Sequence, residues 1–424
     1  MIADQRELLQ FYKEHLTRQL LPFWQQALDR THGGIFTCYN NEGSALISRD
    51  KYIWSQGRFV WLWSRIYDLC RKGVLAEEGE PYLQHAGKTV RFLQEHVLLE
   101  NGNCAYVLTE TGEKQETVPG EGYDVSFYAD CFVVLGFVEY VRVTHDNDLL
   151  AWALALLDSI LRRLEQGNAR SEPYPISAQF DPHAVPMIML NVTQEMADVL
   201  RQAGHPRADE MRNVSSGYAR RIMQRFSQEN GDLLEMIPKE NGLEDTLLFR
   251  HAAPGHMLES MWFVMTEALK MGKSAYIEQA VKVIGKTFEV GWDAQHGGLL
   301  RYVDRSGGAP QGRRIEDRYE QLILDTWDTK IWWPHSEALY STLLAYSLSG
   351  NEKMLDLYRM THDYVFRVFP HHEGREWIQI RDRAGQPLEK LVALPVKDPF
   401  HICRNVLLII ELLNRSSGLG EGSE

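Results

Sequence analysis

Two apolar patterns alternate along the chain. In the first, apolar residues form a narrow stripe. Leu83, Ala86, Val90, Leu93 and Val97 recur at three- and four-residue steps through 81–99, which marks one face of a helix. Amphipathic helices of this kind are also predicted near 5–29, 147–165, 206–226, 274–290 and 352–368. The second pattern has no polar face. Phe59-Val60-Trp61-Leu62-Trp63 opens a run that continues to Leu69, and similar runs occupy 128–142, 187–203, 256–270, 335–347 and 400–414. A helix that is apolar all round is a buried one.

Short glycine-rich segments separate the helices. They are His32-Gly33-Gly34-Ile35-Phe36, Asn101-Gly102-Asn103-Cys104-Ala105-Tyr106, Asn230-Gly231-Asp232-Leu233-Leu234, His296-Gly297-Gly298-Leu299-Leu300 and Gly374-Arg375-Glu376-Trp377-Ile378. Each leads into a short apolar run and a polar turn, as hairpins do. The first and fourth share a longer motif, with Asp29 and Asp293 three residues before the histidine. A degenerate copy falls at Gly167-Asn168-Ala169-Arg170. The chain therefore reads as six units of roughly 65–70 residues. Alternating buried and half-exposed helices in six units predict an all-α (α/α)6 barrel of about twelve helices, with short β-hairpins at its mouth. The expected domain is 1–415, with a disordered tail at 416–424. In such a barrel the inner helices run the same way, so their first residues share one mouth.

Composition narrows the partners. A net charge of −13 argues against nucleic acid and an anionic membrane. Five cysteines without a CxxC pair point to reduced thiols and a cytoplasmic location. The first residues lack the apolar core of a signal peptide, and no run is long enough to span a membrane. There is no P-loop, GxGxxG or GxSxG, so neither a phosphate cradle nor a serine nucleophile is indicated.

Polar residues with chemical potential gather where the buried helices are predicted to start. Arg58 opens the first. Tyr128 and Asp130 open the second, and Asn191 lies in the third. His256 and Glu259 open the fourth, His335 and Glu337 the fifth, and His401 and Arg404 the sixth. A lone histidine at a helix start is ordinarily a packing or capping residue, but three at equivalent positions suggest a shared task. At a helix start the positive dipole end favours the neutral ring, which suits a base near pH 7. A metal site built from His256/Glu259 and His335/Glu337 is an alternative, although no HExxH motif is present. Trp327, Trp332 and Trp333, near Lys330, form either core or a face for sugar stacking. His371-His372-Glu373 reads as a solvated loop, and His32 and His296 as turn residues.

Four stretches carry a family resemblance: Asp50-Lys51-Tyr52-Ile53-Trp54-Ser55-Gln56-Gly57-Arg58, Pro254-Gly255-His256-Met257-Leu258-Glu259, Lys330-Ile331-Trp332-Trp333-Pro334-His335-Ser336-Glu337-Ala338 and Phe400-His401-Ile402-Cys403-Arg404. Together they resemble the N-acylglucosamine 2-epimerase family, known in mammals as renin-binding protein, over nearly the whole chain. The resemblance implies an (α/α)6 barrel and the interconversion of sugars at C2. It implies His256 and His401 as the acid/base pair; for that chemistry Arg58 is the candidate to stabilise the oxyanion, and Glu259 to orient His256 or hold a sugar hydroxyl. Arg250, His335, Glu337, Trp332, Lys330, Asn191 and Arg404 follow as substrate-binding candidates. No metal or redox cofactor is required, ATP is a candidate allosteric activator, and a homodimer is expected. Cellobiose epimerases of the family carry a histidine in the third buried helix; here Pro186-Met187-Ile188-Met189 puts isoleucine there. That favours an N-acyl-D-glucosamine/N-acyl-D-mannosamine epimerase. An aldose–ketose isomerase of the mannose- or glucose-to-fructose type, a glycoside hydrolase and a non-catalytic binding protein are the alternatives.

Overall fold

The computed structural model describes residues 5–373, 376–390 and 395–416. Helices dominate. In chain order they are α1 (Gln5–His15), α2 (Leu21–Gln26), α3 (Ile53–Arg71), α4 (Glu80–His96), α5 (Phe127–Thr144), α6 (Asn147–Glu165), α7 (Ala184–Gln202), α8 (Ala208–Arg221), α9 (Leu247–Arg250), α10 (Pro254–Met271), α11 (Ser274–Gly291), α12 (Arg318–Thr326), α13 (Trp332–Ser349), α14 (Glu352–Val368) and α15 (Phe400–Ser416). All twelve predicted helices are present, in the predicted alternation. The first and the fourth amphipathic ones each contain a π turn, at Leu16–Leu20 and Ile222–Phe226. The short helices α9 and α12 were not anticipated. Each lies in a long connection and starts on a side-chain cap, Thr246 for α9 and Asp317 for α12. The predicted tail beyond 416, and Gly374-Arg375 of the fifth glycine segment, lie outside the described residues.

The strands are two or three residues long and antiparallel. β1 (Lys51–Tyr52), β2 (Val107–Leu108) and β3 (Lys114–Gln115) form one sheet. β4 (Phe180–Pro182) pairs with β5 (Met236–Pro238), β6 (His251–Ala252) with β7 (Val303–Asp304), and β8 (Lys330–Ile331) with β9 (Ile380–Arg381). In each case the strand leading into a buried helix pairs with the strand that leaves the next glycine hairpin. The hairpins themselves close on single bridges, among them Leu28–Ile35, Leu98–Cys104, Ser227–Leu233 and Trp292–Leu299. Gly33, Gly102, Gly231 and Gly297 have positive φ, which those turns require.

By its contacts the chain divides into two compact units. An N-terminal unit comprises 5–174, 192–212 and 395–416; a central unit comprises 175–191 and 213–390. In the N-terminal unit α3 and α5 meet backbone to backbone. A Cβ on Gly57 would lie 2.2 Å from the Phe132 carbonyl oxygen, and one on Gly136 2.3 Å from that of Gly57. Trp61, Trp63, Phe59, Phe127 and Phe137 fill the surrounding core. Below this crossing, buried Glu139 pairs with Arg65 and Arg142. Asp68 pairs with Arg71, Lys72 and Arg142. Burial alone would raise the Asp68 carboxyl, but these partners outweigh it and bring it down to about 2. In the central unit α10 packs on α11 and α13, and the Trp262 indole of α10 donates to Glu337 Oε2 of α13 at 2.6 Å.

One device recurs in both units and explains the shared motif. The fourth residue of a buried helix caps the preceding hairpin. Gln56 of α3 accepts from the Ile35 backbone N–H at 2.8 Å, Asp130 of α5 from Cys104 at 3.1 Å, and His335 of α13 from Leu299 at 2.9 Å. Two residues before the helix, buried Lys51 pairs with Asp29 at 2.7 Å and buried Lys330 with Asp293 at 3.2 Å. The aspartate is therefore the working residue of the longer glycine motif. His32 and His296 are exposed turn residues, as expected. His371, expected to be solvated, is buried and accepts from the Glu373 backbone N–H.

Candidate active site

His256 is the third residue of α10. Pro254 occupies the first turn, where its missing N–H costs nothing, and the preceding residues are held in β6. The Nδ1 atom lies 3.1 Å from Glu235 Oε2, at the start of β5, and the side chain keeps 24% of its surface exposed. Trp333 leans on the ring at 5.4 Å between centroids. Gly255 makes room for it, because a Cβ there would come within 2.3 Å of the indole. Burial pushes the imidazole down, but the charge and hydrogen bond of Glu235, helped by Glu259, carry it above the ordinary value. Arg301 opposes them. A buried carboxylate at hydrogen-bond distance thus acts against the helix dipole, which favours the neutral ring.

His401 is the second residue of α15. Asp398 accepts from the Phe400 backbone N–H at 2.8 Å and caps the helix, while its other oxygen takes Arg58 Nη1. The Arg58 guanidinium carbon lies over the Phe132 ring, 3.9 Å from its centroid, with Trp54 and Phe400 close by. Arg58 Nη2 is 3.4 Å from His401 Nε2, and Arg404 Nη2 is 3.3 Å from Nδ1. A guanidinium only donates and a neutral imidazole has one acceptor nitrogen, so His401 accepts from one of the two arginines and meets the other as a close approach only. The close crossing at Gly57 brings Phe132 under Arg58.

The remaining predicted residues separate into groups. In the central unit Glu259 is buried one turn along from His256. Arg250 is half-exposed and donates to Asp304 at 2.9 Å. Glu337 is buried against the Trp262 indole. Asn191 is buried in α7. Two calls are corrected. His335 has no nitrogen left for a sugar: Nδ1 donates to the Ile331 carbonyl at 2.7 Å, Nε2 accepts from Leu299, and burial pushes the ring down to about 3. Lys330 is fully buried on Asp293 and the Arg383 carbonyl. The tryptophan against His256 is Trp333, whereas Trp332 is buried. Asp130 is likewise a structural residue, held by Arg163 at 2.8 Å.

Glu235 and Asp398, which hold the candidate residues His256 and Arg58, were not singled out from the sequence, whereas Trp333 was named there in the tryptophan cluster. Asp398 carried a readable signal, an aspartate just ahead of a helix start. Glu235 carried a fainter one, a carboxylate inside the apolar run Leu233-Leu234-Glu235-Met236-Ile237.

Helices in this alternation, joined by short antiparallel hairpins, define the (α/α)6 barrel class. The fold agrees with solved structures. It matches a cellobiose 2-epimerase from Bacillus thermoamylovorans B4167 with a TM-score of 0.72 at 19% identity, over 96% of this chain and 100% of that one. It matches a D-mannose isomerase with a TM-score of 0.74 at 15% identity, over 97% and 100%. Residues 34–404 match the model of the N-acylglucosamine 2-epimerase (GlcNAc 2-epimerase) family, and the chain belongs to that family. A human N-acylglucosamine 2-epimerase is 29% identical over 97% of this chain and 92% of its own length.

Proposed function

We propose that the protein is a sugar 2-epimerase interconverting N-acyl-D-glucosamine and N-acyl-D-mannosamine. The likeness to the human relative along nearly the whole chain carries this reading. The C2 proton of the open-chain sugar is acidic because the C1 carbonyl takes the charge. Epimerisation needs one group to remove that proton and a second to return one on the opposite face. His401 meets guanidinium donors and is assigned the acceptor role; His256, paired with Glu235, is assigned the donor role. As His401 takes the proton, the C2–H electron pair forms the C1=C2 bond and the carbonyl pair moves onto O1. Arg58 stabilises that oxyanion. His256 then protonates C2 from the other side, and in the reverse reaction the roles exchange. Glu259 supports His256, Arg404 orients His401, and Arg250 and Asn191 serve the substrate. On the family resemblance the enzyme works in the cytoplasm as a homodimer, with ATP as an activator and no metal or redox cofactor required.

Proton NMR with N-acetyl-D-mannosamine in D2O tests the reading. The expected product is N-acetyl-D-glucosamine carrying deuterium at C2. Inertness toward both acetamido sugars, with conversion of mannose to fructose, would replace it with the isomerase reading.

A further inference from the structure

The four glycine hairpins with a fully described turn share a register that helix starts do not reveal. Four residues after the aligned glycines 33, 102, 231 and 297 stand Thr37, Tyr106, Glu235 and Arg301, and all four are buried. The hairpin turns this position inward whatever its polarity. In the central unit it supplies a carboxylate among three imidazoles: His256 with Nδ1 at 3.1 Å from Oε2, His183 with Nδ1 at 4.0 Å from Oε1, and His251 close enough to feel the charge. Two of the three are closed off. His183 is fully buried, holds Ser260 Oγ at 3.0 Å through Nε2, and is pushed down to about 4 by burial. His251 is fully buried with Nδ1 on the Leu248 carbonyl, and burial pushes it down as well. Burial holds both toward the neutral form, and His256 is the ring of the three that reaches the surface and takes the hydrogen bond of Glu235.

We propose that Glu235 is a positioning residue: it accepts the Nδ1–H of His256, fixes the ring against Trp333, and leaves Nε2 as the atom that exchanges the C2 proton. This rests on the epimerase reading above. The charged and titratable groups facing His256 are Glu235 from the third hairpin, Glu259 from its own helix and Arg301 from the fourth hairpin, with His183 and His251 behind Glu235. Replacing the Glu235 charge removes the main upward influence on His256 and leaves burial and Arg301 to pull it down.

The test is Glu235→Gln beside Glu235→Asp, with two readouts. In epimerisation kinetics, Glu235→Gln is expected to lower kcat about 10–100-fold with little change in KM. The pH limb governed by His256 should move down by about one unit, and Glu235→Asp should restore part of both. In 15N-histidine NMR without sugar, wild-type His256 should carry its proton on Nδ1 when neutral and titrate higher than in Glu235→Gln. Unmoved pH limbs with an unchanged His256 titration would overturn the proposal and reduce Glu235 to a packing residue. A wild-type protein inert toward every sugar would overturn the epimerase reading, whereas the NMR titration would still decide the Glu235–His256 pairing.

Discussion

The two histidines that open α10 and α15 meet different hydrogen-bond partners. His256, in the central unit, is flanked by the carboxylates of Glu235 and Glu259. His401, in the N-terminal unit, is flanked by the guanidinium groups of Arg58 and Arg404. Both units use the same construction to get there. A glycine sits directly before a site residue and lets an aromatic ring approach: Gly255 admits Trp333 to His256, and Gly57 lets α5 bring Phe132 under Arg58. Similar scaffolding thus presents two imidazoles with different polar partners, a carboxylate for His256 and guanidinium groups for His401. A third helix-start histidine, His335, hydrogen-bonds to backbone groups, stacks on Tyr364 and belongs to the scaffold.

The largest expected effect tests whether the two histidines serve opposite faces of the sugar. His256→Ala and His401→Ala should each lower epimerisation by about a thousandfold or more. Each should still exchange the C2 hydrogen of one epimer with D2O, and the epimer should differ between the two variants. Loss of exchange on the same epimer in both would break the comparison. Next in size, Arg58→Met should reduce kcat by about 10²–10³-fold, the range for removing one oxyanion donor. Asp398→Asn should have a smaller effect, since the helix cap survives while the charge that anchors Arg58 is gone.

The two glycines sharpen the comparison at the level of packing. Gly57→Ala and Gly255→Ala should each destabilise the protein by about 1–3 kcal/mol, measured by denaturant unfolding, because neither site has room for a methyl group. Gly255→Ala should also alter the His256 titration by displacing Trp333, whereas Gly57→Ala should leave it in place.

The smallest effect is expected at His335. Gln56 performs the same hairpin-capping task in the N-terminal unit, so His335→Gln should fold and retain most activity, with a loss of about 1–3 kcal/mol near pH 8. Its pH dependence has a definite sign. The folded-state pKa lies near 3, below the ordinary 6.5, so the histidine's contribution is present above pH 6.5 and is lost as pH falls toward 3. His335→Gln lacks that loss, and the stability gap to wild type should narrow on acidification. A gap that widens in acid would contradict the buried neutral ring.

The alternation of helices, the hairpins and the places where chemistry gathers were legible because each is local. A helix writes its buried face into every third or fourth residue, and a tight turn writes its φ angle into glycine. The helix-start rule singled out His256, His401 and Arg58 as candidates for the same reason. It also admitted His335 and Asp130, since a residue that caps a hairpin and one that faces a substrate occupy neighbouring positions on the same turn. Lys330 looked like a polar residue near a mouth and is instead the buried partner of Asp293, which is distant in sequence. Glu235 became visible only when the third hairpin was folded back onto α10, bringing a carboxylate and an imidazole 21 residues apart to 3.1 Å. Sequence by itself therefore determined the helices, their order, the turns and the family motifs. Tertiary structure decided which polar residues are consumed by the scaffold, and what charge stands beside each histidine. Those properties depend on burial and on distances between segments remote in the chain, and local patterning encodes neither.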